Sequence, residues 1–327
     1  MERIELRSYA KINLCLDVKG VLEGGFHEVE MVMQQILLCD DISVTWKPAQ
    51  SSEMPAQSSE MPARGAADGG FSISLTTNRH YLPVDERNLA YKAALLMKEA
   101  YGAERSGQLI IHIKKRIPVA AGLAGGSGNG AAILHALNQL WGLGLDIASL
   151  CKIGAQLGSD VPFCVMGQAA ENRVLKEAFA GDPLACHCAL ATGRGTELKP
   201  LKGLQSHLVL SKPPISVSTA EVYRGIDTVE IPERPDTAEM IRGLETKDLD
   251  AVRKNMINVL EYFTLKRYPI VVYTKNRIQN ACKPTGVLMS GSGPTVFGLC
   301  DSLNHAKAVC AQLKNENRES FWTRTTY

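Results

Sequence analysis

Aromatic residues make up only 6% of the chain, and neither sign of charge predominates: 36 Lys and Arg face 34 Asp and Glu, a net of +2. A nucleic-acid binder needs a dominant basic face, and a base-stacking platform needs aromatic side chains, so both readings are disfavoured. Long hydrophobic runs are missing too. No stretch approaches the roughly 18 uninterrupted apolar residues of a membrane span. The opening M-E-R-I-E-L-R intersperses charges where a signal peptide would carry an apolar segment. No Gly-Lys-Ser or Gly-Lys-Thr occurs, which excludes a Walker P-loop. Nine Cys, an odd number scattered through apolar segments, read as reduced core thiols of a cytoplasmic protein. Cys186-His187-Cys188 is the one tight cluster. It lacks a second pair at zinc spacing, so no protein metal site is assigned. What remains is a globular protein for a small-molecule partner, with neither nucleic acid nor membrane. A monomer or weak homodimer is expected.

At 327 residues, two domains are expected. Ala10, Ile12, Leu14, Leu16 and Val18 alternate with Lys11, Asn13, Cys15 and Asp17, predicting a strand with one buried face and Lys11 and Asn13 side by side. Further strands are expected near 31–46, 71–75, 109–113, 207–210, 287–289 and 296–300. Helices are expected at 88–101, after the Gly-rich segment to about 141, from Asp146 to about 157, over 236–265 and at about 303–315, where the fold is expected to end. Gln50–Ala63 is a tandem repeat of Q-S-S-E-M-P-A, read as part of a flexible excursion over 48–70. Strands and helices mix without βαβ alternation, which favours α+β layers.

Chemistry concentrates in two Gly/Ser loops. Pro118, Val119, Ala120, Ala121, Gly122, Leu123, Ala124, Gly125, Gly126, Ser127 and Gly128 run into a helix. Ser290, Gly291, Ser292 and Gly293 lie between two strands. A Gly-rich helix N-terminus is an anion site, and two such loops can bracket a polyphosphate. Gly126-x-Gly128-x-x-Ala131 also matches a dinucleotide fingerprint. It is rejected, because seven residues and Pro118 separate it from the preceding strand, and Asp146 falls between helices.

P-V-A-A-G-L-A-G-G-S (118–127) resembles the phosphate loop of the GHMP kinases. S-Y-A-K-I-N-L-C-L-D-V (8–18), G-G-F-H-E-V (24–29), G-S-D-V-P-F (158–163), G-R-G-T-E-L (193–198) and L-M-S-G-S-G-P-T-V-F-G (288–298) follow that family's order. The resemblance covers about 8–300. It implies an α+β fold of two domains: a ribosomal-protein-S5-like one over 1–190 and a ferredoxin-like one over 191–327. The sequence departs from the family by an insertion at 171–188, in which Val174, Leu175 and Phe179 are expected to form an extra helix. The resemblance implies ATP as phosphoryl donor, with Mg²⁺, held by the 118–128 loop. The acceptor would be the tertiary 2-hydroxyl of a cytidine-diphosphate-linked methylerythritol. Asp160 would take the hydroxyl proton, and Lys11 would lower the proton affinity of the acceptor oxygen. Asn13 and Thr219 would contact the acceptor, and Phe26 and His27 the cytidine. The sequence departs from the family at Gly128, where a second hydroxyl is usual. Another alcohol such as mevalonate or homoserine, or a non-catalytic nucleotide-binding role, are the rival readings. The Phe26-His27 pair and the context of Asp160 speak against the first, and retention of Lys11 and Asp160 against the second.

Overall fold

The computed structural model describes residues 2–49, 70–281 and 286–327. The repeat at 50–63 and most of the expected excursion lie outside the described residues.

Two sheets form the scaffold. In the first, β1 (Glu2–Val21) pairs antiparallel along β2 (His27–Pro48). The far end of β2 pairs with β4 (Gly107–Lys114), which carries β3 (Phe71–Thr77) in parallel. Its near end pairs with β5 (Cys188–Thr192), which carries β6 (Glu197–Pro200). This sheet therefore does not stop at the expected boundary of 190. β5 and β6 carry it to Pro200 because their ladder hydrogen bonds continue it outward from β2. The second sheet is antiparallel, in the order β10 (Glu319–Arg324), β7 (His207–Lys212), β9 (Val296–Cys300), β8 (Val287–Met289).

β1 is buried on both faces from Ser8 to Asp17, not on one. Ala10, Ile12 and Leu14 pack toward Leu208, Leu210 and Phe297 of the second sheet. The opposite side lies under α2 (Gly125–Leu140) and α4 (Val161–Glu171). A buried charge such as Lys11 on this strand must find polar partners. The strand also bulges, with register shifts between Tyr9 and Ala10 and between Asn13 and Cys15.

Helix α1 (Leu89–Tyr101) is capped by Asn88, and α3 (Ile147–Gly154) by Asp146. The expected extra helix is α5 (Arg173–Ala178), with Leu175 and Phe179 buried and Val174 outside. Then come α6 (Thr219–Ile226), α7 (Thr237–Thr246), α8 (Leu249–Lys254), α9 (Glu261–Arg267), α10 (Pro269–Ala281) and α11 (Leu303–Lys314). The chain does not end with α11. β10 follows, and Thr326 N–H donates to the Gln35 carbonyl at 3.1 Å, tying the last residues to β2. Among the described residues, no helix is long and apolar enough to cross a membrane.

Candidate active site

A cavity of about 820 Å³ opens between the two sheets. Of the residues expected in a site, Lys11, Phe26, His27, Gly122, Ser127, Asp160, Thr219, Gly291 and Ser292 line it together. Its lining carries the cations Lys11, Arg194 and Arg224 against one carboxylate, Asp160, so it favours an anion.

On the cavity wall, Lys11 is almost fully buried. Its Nζ donates to Asn13 Oδ1 at 2.9 Å and lies 3.6 Å from Asp160 Oδ1. Asp160 occupies the N-cap of α4, with Pro162 in the first turn, yet its side chain makes no capping bond. The carboxylate is left for Lys11 and the cavity. Asn13 differs from expectation. It is fully buried, its amide spans Lys11 and Met31 Sδ (3.1 Å), and it does not line the cavity. It holds Lys11 rather than meeting an acceptor.

The 118–128 segment splits in two. Ala120, Gly122 and Ala124 sit at φ of 50°, 70° and 55°, two of them strained because they carry a Cβ. Helix α2 begins at Gly125, inside what reads as a loop, and no side chain caps it. Its first-turn N–H groups, with the macrodipole behind them, are the anion-binding feature. Ala121 and Leu123 are core residues, and the Leu123 carbonyl accepts from Lys11 N–H at 3.2 Å. Gly128 is buried and does not line the cavity. A Cβ there would meet Ser8 Oγ at 2.6 Å and the Tyr9 carbonyl oxygen at 3.3 Å. It is a glycine because α2 crosses close over β1, so the hydroxyl missing at this position is not one lost from the cavity wall.

Asp40 holds this loop, and the sequence did not announce it. Fully buried on β2, its carboxylate accepts from the Arg116 and Ile117 N–H groups (2.7 and 2.8 Å), from Asn129 Nδ2 (2.9 Å) and from buried Lys115 Nζ. It thus ties the entry of the loop to the first turns of α2. Burial pulls the Lys115 ammonium below its ordinary pKa, and Asp40 opposes that.

The second loop presses onto the first rather than standing opposite it. Ser290 is buried, and its Oγ donates to the Gly122 carbonyl at 2.9 Å. A Cβ on Gly122 would sit 2.1 Å from the Ser290 carbonyl oxygen, so this contact needs glycine. Gly291 and Ser292 reach the cavity, whereas Ser290 and Gly293 do not. Asn258 Nδ2 holds the loop through the Met289 and Gly291 carbonyls, both at 2.8 Å, and Ser292 Oγ meets Thr219 Oγ1 at 2.9 Å.

At the other end, His27 Nε2 lies 3.0 Å from both carboxylate oxygens of Asp227, and its ring centroid is 5.2 Å from that of Tyr223. Phe26 is half-exposed, with the Arg194 guanidinium 3.5 Å above its ring centroid. Tyr223, Arg194 and Asp227 were not singled out from sequence. Arg194 had a signal: it stands between Gly193 and Gly195, both at positive φ, in one of the quoted motifs. Burial and the nearby Asp160 charge push the Tyr223 phenol pKa well up.

Away from the cavity, the Cys186-His187-Cys188 cluster is ordinary. His187 pairs with Glu171 at 2.9 Å, and burial pushes the Cys186 thiol up to about 12. Among the described residues, no group of three or more His, Cys, Asp or Glu could hold a metal ion.

Comparison with known proteins gives a consistent picture. The family model for the GHMP kinases N terminal domain matches residues 88–168, and that for the GHMP kinases C terminal domain matches 240–319. The chain is 40% identical over 314 residues to a 4-diphosphocytidyl-2-C-methyl-D-erythritol kinase of Alkaliphilus metalliredigens, covering 96% of this chain and 93% of the relative. It is 42% identical over 308 residues to a kinase of the same name from Shouchella clausii, covering 94% and 89%. A crystal structure of 4-(cytidine 5'-diphospho)-2C-methyl-D-erythritol kinase superposes with a TM-score of 0.71 at 27% identity, covering 99% of this chain and 100% of that one. A homoserine kinase from Cytophaga hutchinsonii, at 16% identity and TM-score 0.67 over 100% and 95% of the chains, shares the fold.

Proposed function

The chain belongs to the GHMP kinase family, and on that footing we propose that it transfers the γ-phosphoryl group of ATP to the 2-hydroxyl of 4-diphosphocytidyl-2-C-methyl-D-erythritol. The observation that carries the reading is the Lys11–Asp160 pair. It lies in a cation-rich cavity between the uncapped start of α2 and the ring cluster of Phe26, His27 and Tyr223.

Phosphoryl transfer asks for positioning and for stabilisation of charge. The nucleotide phosphates lie at the first-turn N–H groups of α2, beside Ser127, Gly291 and Ser292. The acceptor hydroxyl lies between Asp160 and the γ-phosphorus. Asp160 takes its proton as the new P–O bond forms and the bond to the β-phosphate oxygen breaks, releasing ADP. Lys11 lowers the charge cost at the acceptor oxygen, and Asn13 keeps its ammonium in place. Arg194 and Arg224 offset the cytidine-linked diphosphate, and the base sits among the three rings.

Mg²⁺ belongs to this reading as an ion that arrives with ATP. The described residues offer no carboxylate cage, which suits a cation held mainly by phosphates and water. Ser127, on the cavity wall at the start of α2, is the side chain that would complete its shell, and when bound the ion would neutralise phosphate charge.

The test is ADP release with the cytidine diphosphate substrate, mevalonate and homoserine supplied separately. Release with the first alone supports the proposal, and release with either of the others in preference contradicts it.

A further inference from the structure

Asp227 stands where the helix itself disfavours it. It is the C-cap of α6, at the negative end of the helix dipole, where a cation is stabilising and a carboxylate is not. It is half-exposed, yet both its oxygens lie 3.0 Å from one atom, His27 Nε2, two hundred residues away in sequence. A carboxylate can only accept, so Nε2 carries the proton. The imidazole side chain is mostly covered and is steadied by the Tyr223 ring. Its Nδ1 has no hydrogen-bond partner among the described residues, and His27 lines the cavity.

We propose that Asp227 is a positioning residue that sets base selectivity: by holding the proton on His27 Nε2, it presents Nδ1 as a bare acceptor to the pyrimidine edge. This rests on the reading of the cavity as a cytidine diphosphate site and adds to it the means of discrimination. Cytosine carries an amino donor at its 4-position, and uracil carries a carbonyl acceptor there. A bare Nδ1 accepts from the amino group. Against the carbonyl it sets two lone pairs face to face and leaves both unpaired, and unpaired buried polar groups are what give polar sites their selectivity. Without Asp227 the imidazole is free to carry its proton on Nδ1, which suits the carbonyl instead.

The experiment uses the full chain with ¹⁵N-labelled histidine, and CDP and UDP as binding probes in calorimetry. In the unaltered protein, the His27 signals, assigned by their loss in His27→Ala, are expected to show protonated Nε2 and bare Nδ1. CDP should bind at least about tenfold more tightly than UDP. Asp227→Ala should mix the tautomers and bring the CDP-to-UDP ratio close to unity. In turnover, the loss should fall on KM for the cytidine substrate and not on KM for ATP. The Asp227→Ala/His27→Ala double variant should be no less selective than His27→Ala alone, because the two act through one atom. An Nδ1–H or imidazolium signature in the unaltered protein overturns the proposal. So does an unchanged CDP-to-UDP ratio in Asp227→Ala. If CDP and UDP both fail to bind and the cytidine substrate releases no ADP, the parent reading fails and this one with it. A preference for CDP that survives Asp227→Ala overturns this inference alone.

Discussion

Asp160 caps α4 by position but not by bonding, and its Oδ1 faces Lys11 Nζ at 3.6 Å. An N-cap aspartate ordinarily spends its carboxylate on the helix. Here the carboxylate is turned to a cation that is almost wholly buried, and which Asn13 fixes from the far side. The pair is the centre of the proposed chemistry.

Asp160→Asn is expected to lower kcat by about 10²–10⁴-fold, the range for loss of a general base. ATP affinity should hold, because the nucleotide loop is built on different residues. Lys11→Ala should show a comparable fall, and the double variant should be little worse than either single one. Steady-state kinetics with nucleotide binding measured separately checks this. More than a tenth of the activity left in Asp160→Asn would remove it from the role of base.

Asp40 is predicted to matter to ATP through the shape of the loop. Asp40→Asn leaves Lys115 buried without its counter-charge and should cost about 3–5 kcal/mol of stability. Adding Lys115→Met removes the orphaned charge and should return much of that stability. KM for ATP should nevertheless stay raised in the double variant, because Asn129 Nδ2 then faces an amide nitrogen instead of an acceptor, and the Arg116 and Ile117 N–H groups keep only a neutral oxygen. Urea unfolding and ATP titrations separate the two effects. Recovery of both together would reduce Asp40 to a packing role.

Stability should fall in mild acid because of His135. This side chain is fully buried, its Nε2 meets the Val165 carbonyl at 2.9 Å, and its Nδ1 has no partner. Burial lowers its pKa from 6.5 to about 4. The unfolded chain therefore binds a proton that the folded one refuses between those values, and stability drops as pH falls through that window, by about 3 kcal/mol in all at 1.36 kcal/mol per unit. His135→Gln keeps a donor for Val165 and should flatten the dependence. Urea midpoints at pH 7 and pH 4.5, in both proteins, measure it.

Much of the site was readable because its residues lie in compact motifs. Lys11, His27 and Asp160 each sit beside glycines or small residues whose spacing carries meaning. What escaped lies far away in sequence. Asp227 is paired across two hundred residues, and Asp40 is one of two adjacent aspartates at a strand's midpoint, with nothing local to tell it from Asp41. Packing overrides local propensity in the fold as well. α10 reads P-I-V-V-Y-T, a β-branched run that favours a strand. It is helical because Val271, Thr274 and Ile278 share one buried face. The first turn of α2 is four glycines in six residues, poor helix formers held there by contacts with β1 and the Asp40 network. β10 is a short edge strand whose partner, β7, lies more than a hundred residues earlier, so it has no hairpin signal.

The most direct measurement is ³¹P NMR of the full chain incubated with ATP, Mg²⁺ and 4-diphosphocytidyl-2-C-methyl-D-erythritol. The account predicts one new phosphomonoester resonance for each ADP formed, with the cytidine-linked diphosphate intact, and no such resonance with Asp160→Asn over the same interval. ADP accompanied by free phosphate alone, or cleavage of the substrate's diphosphate, would contradict it.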